Sequence, residues 1–184
     1  VFNYYDLNDV LVMVKYRPAR IVKKGENKNW CQPGADTSPL LYNMCRINPS
    51  QPLVIASGEL DCASLIEAGV QNAVSIPLGD GNLAWIEECW DFLEQFKEII
   101  IVPDNDPSGI KYCKNVVPRL GSWRCKVASC PSFYEDPEGK KHNIKDINET
   151  LYWMGEEAVV DMIANAADSP IPSLVDFSDI EEKD

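Results

Sequence analysis

The hydrophobic positions follow two kinds of pattern, and the change between them falls near residue 50. Over residues 10–22 the side chains alternate, Leu11, Met13 and Lys15 sharing one face and Val12, Val14 and Tyr16 the other. A period of two predicts two short antiparallel strands with a basic edge, turned at Pro18. Residues 25–39 hold Gly25, Pro33, Gly34, Asp36, Ser38 and Pro39, which predicts a loop closing this first lobe. Beyond Pro52, short apolar runs alternate with helical periods. Residues 53–56, 73–76, 98–102 and 125–128 predict four strands, and 60–68 (stopped by Gly69), 83–96 and 110–120 predict helices. Strand and helix alternating at this spacing imply a parallel sheet wrapped by helices. Residues 131–144 are predicted as a polar loop, 147–154 and 156–166 as helices, and 168–184 as an acidic linker. The expected division is a β-rich basic lobe at 1–50, an α/β domain at 51–167 and a tail at 168–184.

Composition narrows the class. The 184 residues are 45% hydrophobic and 25% charged, as in one ordinary globular domain with a small attached lobe. The longest aliphatic run, Ile99-Ile100-Ile101-Val102, is far short of the roughly 20 residues that cross a bilayer, so no membrane partner is expected. The first residue, Val1, carries neither an initiator Met nor a leader pattern, and the chain is expected to be processed or a piece of something longer. Seven scattered cysteines without a C-x-x-C pair, beside the single His142, favour free thiols in a reducing cytosol over a disulfide framework or a zinc module. The net charge of −12 argues against coating of duplex DNA, but it is uneven: residues 1–50 carry +3 and the rest −15. A basic front of this kind can guide nucleic acid to a local groove.

In an open parallel sheet, ligands bind beyond the carboxyl ends of the strands. Three such places here are acidic: Ser57-Gly58-Glu59-Leu60-Asp61, Pro103-Asp104-Asn105-Asp106-Pro107-Ser108-Gly109, and Lys145-Asp146-Ile147-Asn148-Glu149. Carboxylates gathered at one end of a sheet repel one another unless a cation sits among them. An oxygen-only set suits Mg²⁺ or Mn²⁺, and with it metal-assisted phosphoryl or nucleotidyl transfer. Plainer readings exist: Asp104 and Asp106 could serve only a Pro-Ser-Gly turn, and Glu59 and Asp61 could be helix N-terminal acids held by the dipole. A calcium loop fits only the first half of the second motif, since its twelfth position is Asn115 and a strand precedes it. Trp85, Trp90 and Phe92 are expected in the core, His142 is expected to be solvated, and Trp30 and Tyr42 are the better candidates for stacking on a nucleobase.

G-E-x-D after the first strand, D-x-D-x-x-G after the third, and K-D-x-N-E further on, in that order, resemble the toprim fold and within it the primase part of bacteriophage-type primase-helicases. The resemblance runs through residues 53–152 and more loosely over 4–50, where Lys15-Tyr16-Arg17 looks like the basic strand of the preceding lobe. It implies a Rossmann-like parallel sheet flanked by helices, with a small N-terminal β-rich lobe. It also implies an RNA primer synthase in DNA replication: Mg²⁺ (or Mn²⁺) held by Asp104 and Asp106 with Asp146 and Asp61, and Lys145 beside them on a phosphate. Lys15, Arg17 and Lys23 would line a groove for the single-stranded DNA template. Implied partners are ribonucleoside triphosphates, a fused or associated hexameric helicase and a zinc-binding module, in a bacterial or phage-infected host cytoplasm. No G-x-x-x-x-G-K-[ST] loop occurs in the 184 residues, so the helicase motor is not among them.

One departure stands out. Catalytic toprim proteins carry a glutamate directly before the glycine of the first motif, where this chain has Ser57; Glu59 is expected to take over part of its proton-transfer role. The alternative is a catalytically silent toprim module that binds single-stranded DNA for a fused replicative helicase. A toprim nuclease or topoisomerase fits K-D-x-N-E and the basic lobe less well.

Overall fold

In the computed structural model, residues 1–169 are described apart from 21, 24, 36–39 and 80. The centre is a five-stranded sheet of order β10-β7-β6-β4-β5, built from β4 (Leu53–Ala56), β5 (Ala73–Ser75), β6 (Ile99–Val102), β7 (Cys125–Val127) and β10 (Ala167–Asp168). β4 lies between β5 and β6, all three parallel; β6 pairs parallel with β7, and only β10 runs antiparallel. β4 and β6 are buried along their whole length, as strands covered on both faces must be.

Side-chain alternation divides the core in two. Leu53, Ile55, Ile99 and Ile101 face α2 (Ala84–Glu88), α3 (Trp90–Leu93) and α4 (Pro107–Leu120), which supply Trp85, Phe92, Tyr112 and Val116. Val54, Ala56, Ile100 and Val102 face α1 (Glu59–Glu67) and α5 (Ile147–Ala164), which supply Cys62, Leu65, Ile147 and Val159. Gly155, at φ 83°, kinks α5 between the two predicted helices. None of the seven cysteines forms a disulfide, and burial pushes the Cys125 and Cys130 thiols up to about 11.

The first lobe is a three-stranded antiparallel sheet of order β1-β2-β3, from β1 (Phe2–Tyr5), β2 (Leu11–Tyr16) and β3 (Trp30–Cys31). It differs from the expected hairpin. β2 does not turn at Pro18 into a partner; it ends at Tyr16 and pairs instead with β1, Tyr4 opposite Met13, and with β3, Lys15 opposite Cys31. β1 escapes a pattern search because only Tyr4 of its four residues is buried, and β3 is two residues inside the predicted loop. The predicted helix over 83–96 is two short helices meeting at Cys89. The predicted loop over 131–144 contains a hairpin, β8 (Phe133–Glu135) with β9 (Lys141–Asn143), held against α5 by His142 stacked 4.0 Å from Trp153. The expected tail begins too early, since Asp168 pairs with Lys126 in β10; residues 170–184 of that tail lie outside the described residues.

Candidate functional site

The first two acidic motifs leave the sheet at the same edge because β4 and β6 are parallel neighbours in register, Ala56 beside Val102, and the third arrives beside them from the β8–β9 hairpin. The first motif opens α1: Gly58 is its N-cap, and Glu59 and Asp61 lie in its first turn. The second opens α4, where the Asp106 carboxylate caps the helix by accepting from Gly109 N–H at 2.9 Å and Pro107 supplies a fixed φ at the first helical position. Gly109 has to be glycine there, since a Cβ would stand 2.1 Å from the Asp104 carbonyl oxygen. The third opens α5 with a reciprocal cap: Asp146 accepts from Glu149 N–H at 2.9 Å while the Glu149 carboxylate accepts from Lys145 N–H at 2.7 Å.

Asn105, between the two aspartates of the second motif, ties that loop to the third. Its N–H donates to the Lys145 carbonyl at 2.6 Å, and its side-chain amide donates to the carbonyls of Ile144 at 3.1 Å and Pro131 at 3.2 Å. Loops from distant parts of the sequence are thereby brought onto one cleft of about 520 Å³. Asp61, Asp104, Asp146 and Lys145 line it from the sheet side, Ser57, Gly58 and Glu59 from the start of α1, and Lys15, Arg17, Lys28 and Trp30 from the first lobe.

Electrostatics record the crowding. Burial first, then the charges of Asp146 and Asp104, push the Asp61 carboxyl up to about 7, against a downward pull from the Asn148 N–H and Lys145. Burial pulls the Lys145 ammonium down, but Asp104, Asp146 and Asp106 outweigh it and its net shift is upward. Lys145 Nζ lies 3.6 Å from the Asp104 carboxylate. Among the described residues no three acidic, cysteine or histidine side chains form a ready-made metal cage. The donor set fits a hydrated Mg²⁺, which binds through one or two carboxylates plus substrate phosphates and retains several waters.

The expected site residues are not all alike in position. Asp61, Asp104, Asp146, Lys145, Arg17, Glu59 and Lys15 all line the cleft, the last two as largely buried side chains. Asp106 is outside its lining and caps α4, while Lys23 is exposed and also outside it. Lys15, expected as an exposed contact to template, is only 6% exposed and donates to Glu59 Oε1 at 2.5 Å and to the Pro77 carbonyl at 2.7 Å. The same Glu59 oxygen accepts from the Tyr4 hydroxyl at 2.5 Å. The Ser57 hydroxyl is shut off from solvent with no hydrogen-bond partner among the described residues. Trp85 and Phe92 are in the core as expected, Trp90 is half exposed, and Tyr42 packs edge-on against Tyr4. His142, expected to be solvated, is paired with Asp136 at 2.8 Å. Sequence reasoning missed Lys28, hidden in a predicted loop, and Asn105, whose position between two aspartates was its only signal.

A mostly parallel sheet with two acidic loops at the carboxyl ends of neighbouring strands and a third brought beside them, each opening a helix, defines the toprim class. The chain belongs to the Toprim-like family, which matches residues 54–151. It is 28% identical over 193 residues to the chloroplastic/mitochondrial Twinkle homolog protein of Arabidopsis thaliana, covering 97% of this chain and 25% of that protein. It is 29% identical over 187 residues to a primase homolog protein of the same plant, covering 94% of this chain and 51% of that protein. The chain thus spans between a quarter and about half of the curated relatives it matches. The crystal structure of the primase fragment of the bacteriophage T7 primase-helicase protein superposes with a TM-score of 0.67 at 23% identity, covering 88% of this chain and 60% of that one. The superposition shows that the chain has the fold that the three motifs imply.

Proposed function

We propose that this domain carries out Mg²⁺-dependent (or Mn²⁺-dependent) nucleotidyl transfer, joining ribonucleoside triphosphates into RNA primers on a single-stranded DNA template. The reading rests on one observation: Asp61, Asp104 and Asp146 crowd into one polar cleft with Lys145 beside them and with Arg17 and Lys28 on the facing wall. A bound divalent ion would relieve the carboxylate repulsion and offset the charge of a triphosphate. Lys145, held by its ion pair with Asp104, is placed to take a phosphate oxygen, and Arg17 and Lys28 add salt-dependent attraction for a nucleic-acid backbone. Asp106 supports the site through its helix cap as well as its charge. A fused or associated hexameric helicase and a zinc-binding module belong to the same reading. The compartment is a bacterial or phage-infected cytoplasm, or an organelle of the kind the Twinkle homolog's name gives. No helix among the described residues is long and apolar enough to cross a membrane.

A second reading is favoured by a specific observation. Ser57 offers no carboxylate, and Oε1 of Glu59 is engaged by Lys15 and Tyr4, which ties this carboxylate into the contact with the first lobe instead of leaving it a free base. In that reading the domain binds single-stranded DNA for a helicase without making primers. De novo synthesis of labelled oligoribonucleotides on single-stranded templates, in a protein carrying helicase and zinc modules, separates the two. The enzyme reading expects synthesis that is lost in Asp104→Ala and Asp146→Ala; DNA binding without any synthesis favours the silent module.

A further inference from the structure

Lys15 and Glu59 form a buried ion pair, 6% and 4% exposed, and it joins the first lobe to the first acidic motif. Through its two bonds the Lys15 ammonium connects β2, the first residue of α1 and the turn that follows β5. Tyr4 of β1, fully buried, closes the cluster from the other side of the carboxylate. Everything else about the placement concerns the cleft. Arg17 follows directly on the end of β2, Asp61 shares the first turn of α1 with Glu59, and both line the cleft. The Lys15–Glu59 pair thus joins the strand that leads to the basic wall directly to the helical turn that carries the acidic wall.

Resting on the proposed metal and nucleotide site, we propose that Lys15, Glu59 and Tyr4 are positioning residues: the buried pair clamps the lobe to the start of α1 and fixes the spacing of Arg17 against Asp61, without Lys15 touching the template. An ammonium already satisfied by a carboxylate and a carbonyl, and shielded from solvent, has little left for a phosphate. Removal of either partner alone leaves the other charge buried and unpaired, whereas removal of both leaves a closed apolar or neutral contact.

The test compares the native chain with Lys15→Met, Glu59→Gln and the double variant. Thermal unfolding is expected to show that the double variant loses less than the two single losses added; strict additivity would overturn the clamp. Binding of fluorescent single-stranded DNA against salt is expected to give the same slope for Lys15→Met as for the native chain. A phosphate contact would lower the slope by about 0.7, and that result would make Lys15 a template residue. Calorimetric titration with Mg²⁺, at a temperature where each variant is folded, separates positioning from stability alone. Loss of a nearby positive charge would by itself tighten Mg²⁺ binding, so a severalfold weakening in Lys15→Met reports displaced carboxylates, and unchanged or tighter binding refutes the positioning role. If the native chain binds neither Mg²⁺ nor DNA, the proposed function fails, and the unfolding comparison still decides whether the clamp exists.

Discussion

Asp61 is the group whose replacement should change the most with the least disturbance. Its carboxyl is displaced from an ordinary value of 3.8 to about 7 by burial and by the neighbouring charges of Asp146 and Asp104. At about 1.4 kcal/mol per unit, ionising it in the fold costs up to ~4 kcal/mol, and partial contact with solvent reduces that to roughly 2 kcal/mol. The sign follows from linkage. A carboxyl with a folded value above its unfolded one contributes stability that is full below pH 4 and lost as the pH rises through about 7. Metal-free protein should accordingly become more stable as the pH falls from 8 to 5.

Asp61→Asn removes the charge and keeps an oxygen to accept from the Asn148 N–H, so in chelator at pH 8 it should raise stability by roughly 2 kcal/mol. For a chain of this size that is about 4–8 °C in Tm. At pH 5 the advantage should shrink to roughly a third, because the native carboxyl is then protonated while that of the unfolded chain is still largely ionised, and it should vanish only below about pH 4. Added Mg²⁺ should stabilise the native protein at pH 8 by mass action and the variant much less. Differential scanning fluorimetry across pH 5–8.5, with chelator or Mg²⁺, reads all of this. A variant no more stable than the native chain at pH 8, or a gain of equal size at pH 5, would refute the convergence of carboxylates on Asp61.

Further outcomes follow from neighbouring residues. Ser57→Glu should raise primer yield if the missing carboxylate limits proton transfer, measured as labelled oligoribonucleotide per unit time; unchanged yield would mean that the position no longer limits it. Gly109→Ala should unfold or displace the second motif, since its Cβ would stand 2.1 Å from the Asp104 carbonyl; a loss of about 3 kcal/mol or more in denaturant titration is expected. Asn105→Ala removes the two amide bonds to Ile144 and Pro131 while the backbone bond to Lys145 remains. It should weaken Mg²⁺ binding severalfold with a small change in Tm, as titration calorimetry and fluorimetry would show.

The α/β part was legible from sequence because its signals are local. Ile99-Ile100-Ile101-Val102 reads as a strand covered on both faces, and the rule that ligands gather beyond strand ends points to Asp61 and Asp104, while Asp146 is reached only through the K-D-x-N-E motif after the polar loop. The lobe was not legible, for a physical reason: β1 and β3 are held by partners rather than by pattern. Tyr4 and Cys31 gain their places from pairing across β2 and, for Tyr4, from the Glu59 carboxylate 55 residues away, which no window along the chain contains. The same blindness misassigned Lys15. A lysine in an alternating strand reads as a solvated basic edge, yet the alternation that turns Tyr16 against Trp30 at 5.9 Å turns Lys15 inward, and only the fold supplies the carboxylate that makes burial tolerable. Electrostatic role in this domain is thus decided by long-range pairing: Lys145 and Lys15 are equal as letters, but the first is half-exposed beside Asp104 in the cleft and the second is buried in its wall and committed to Glu59.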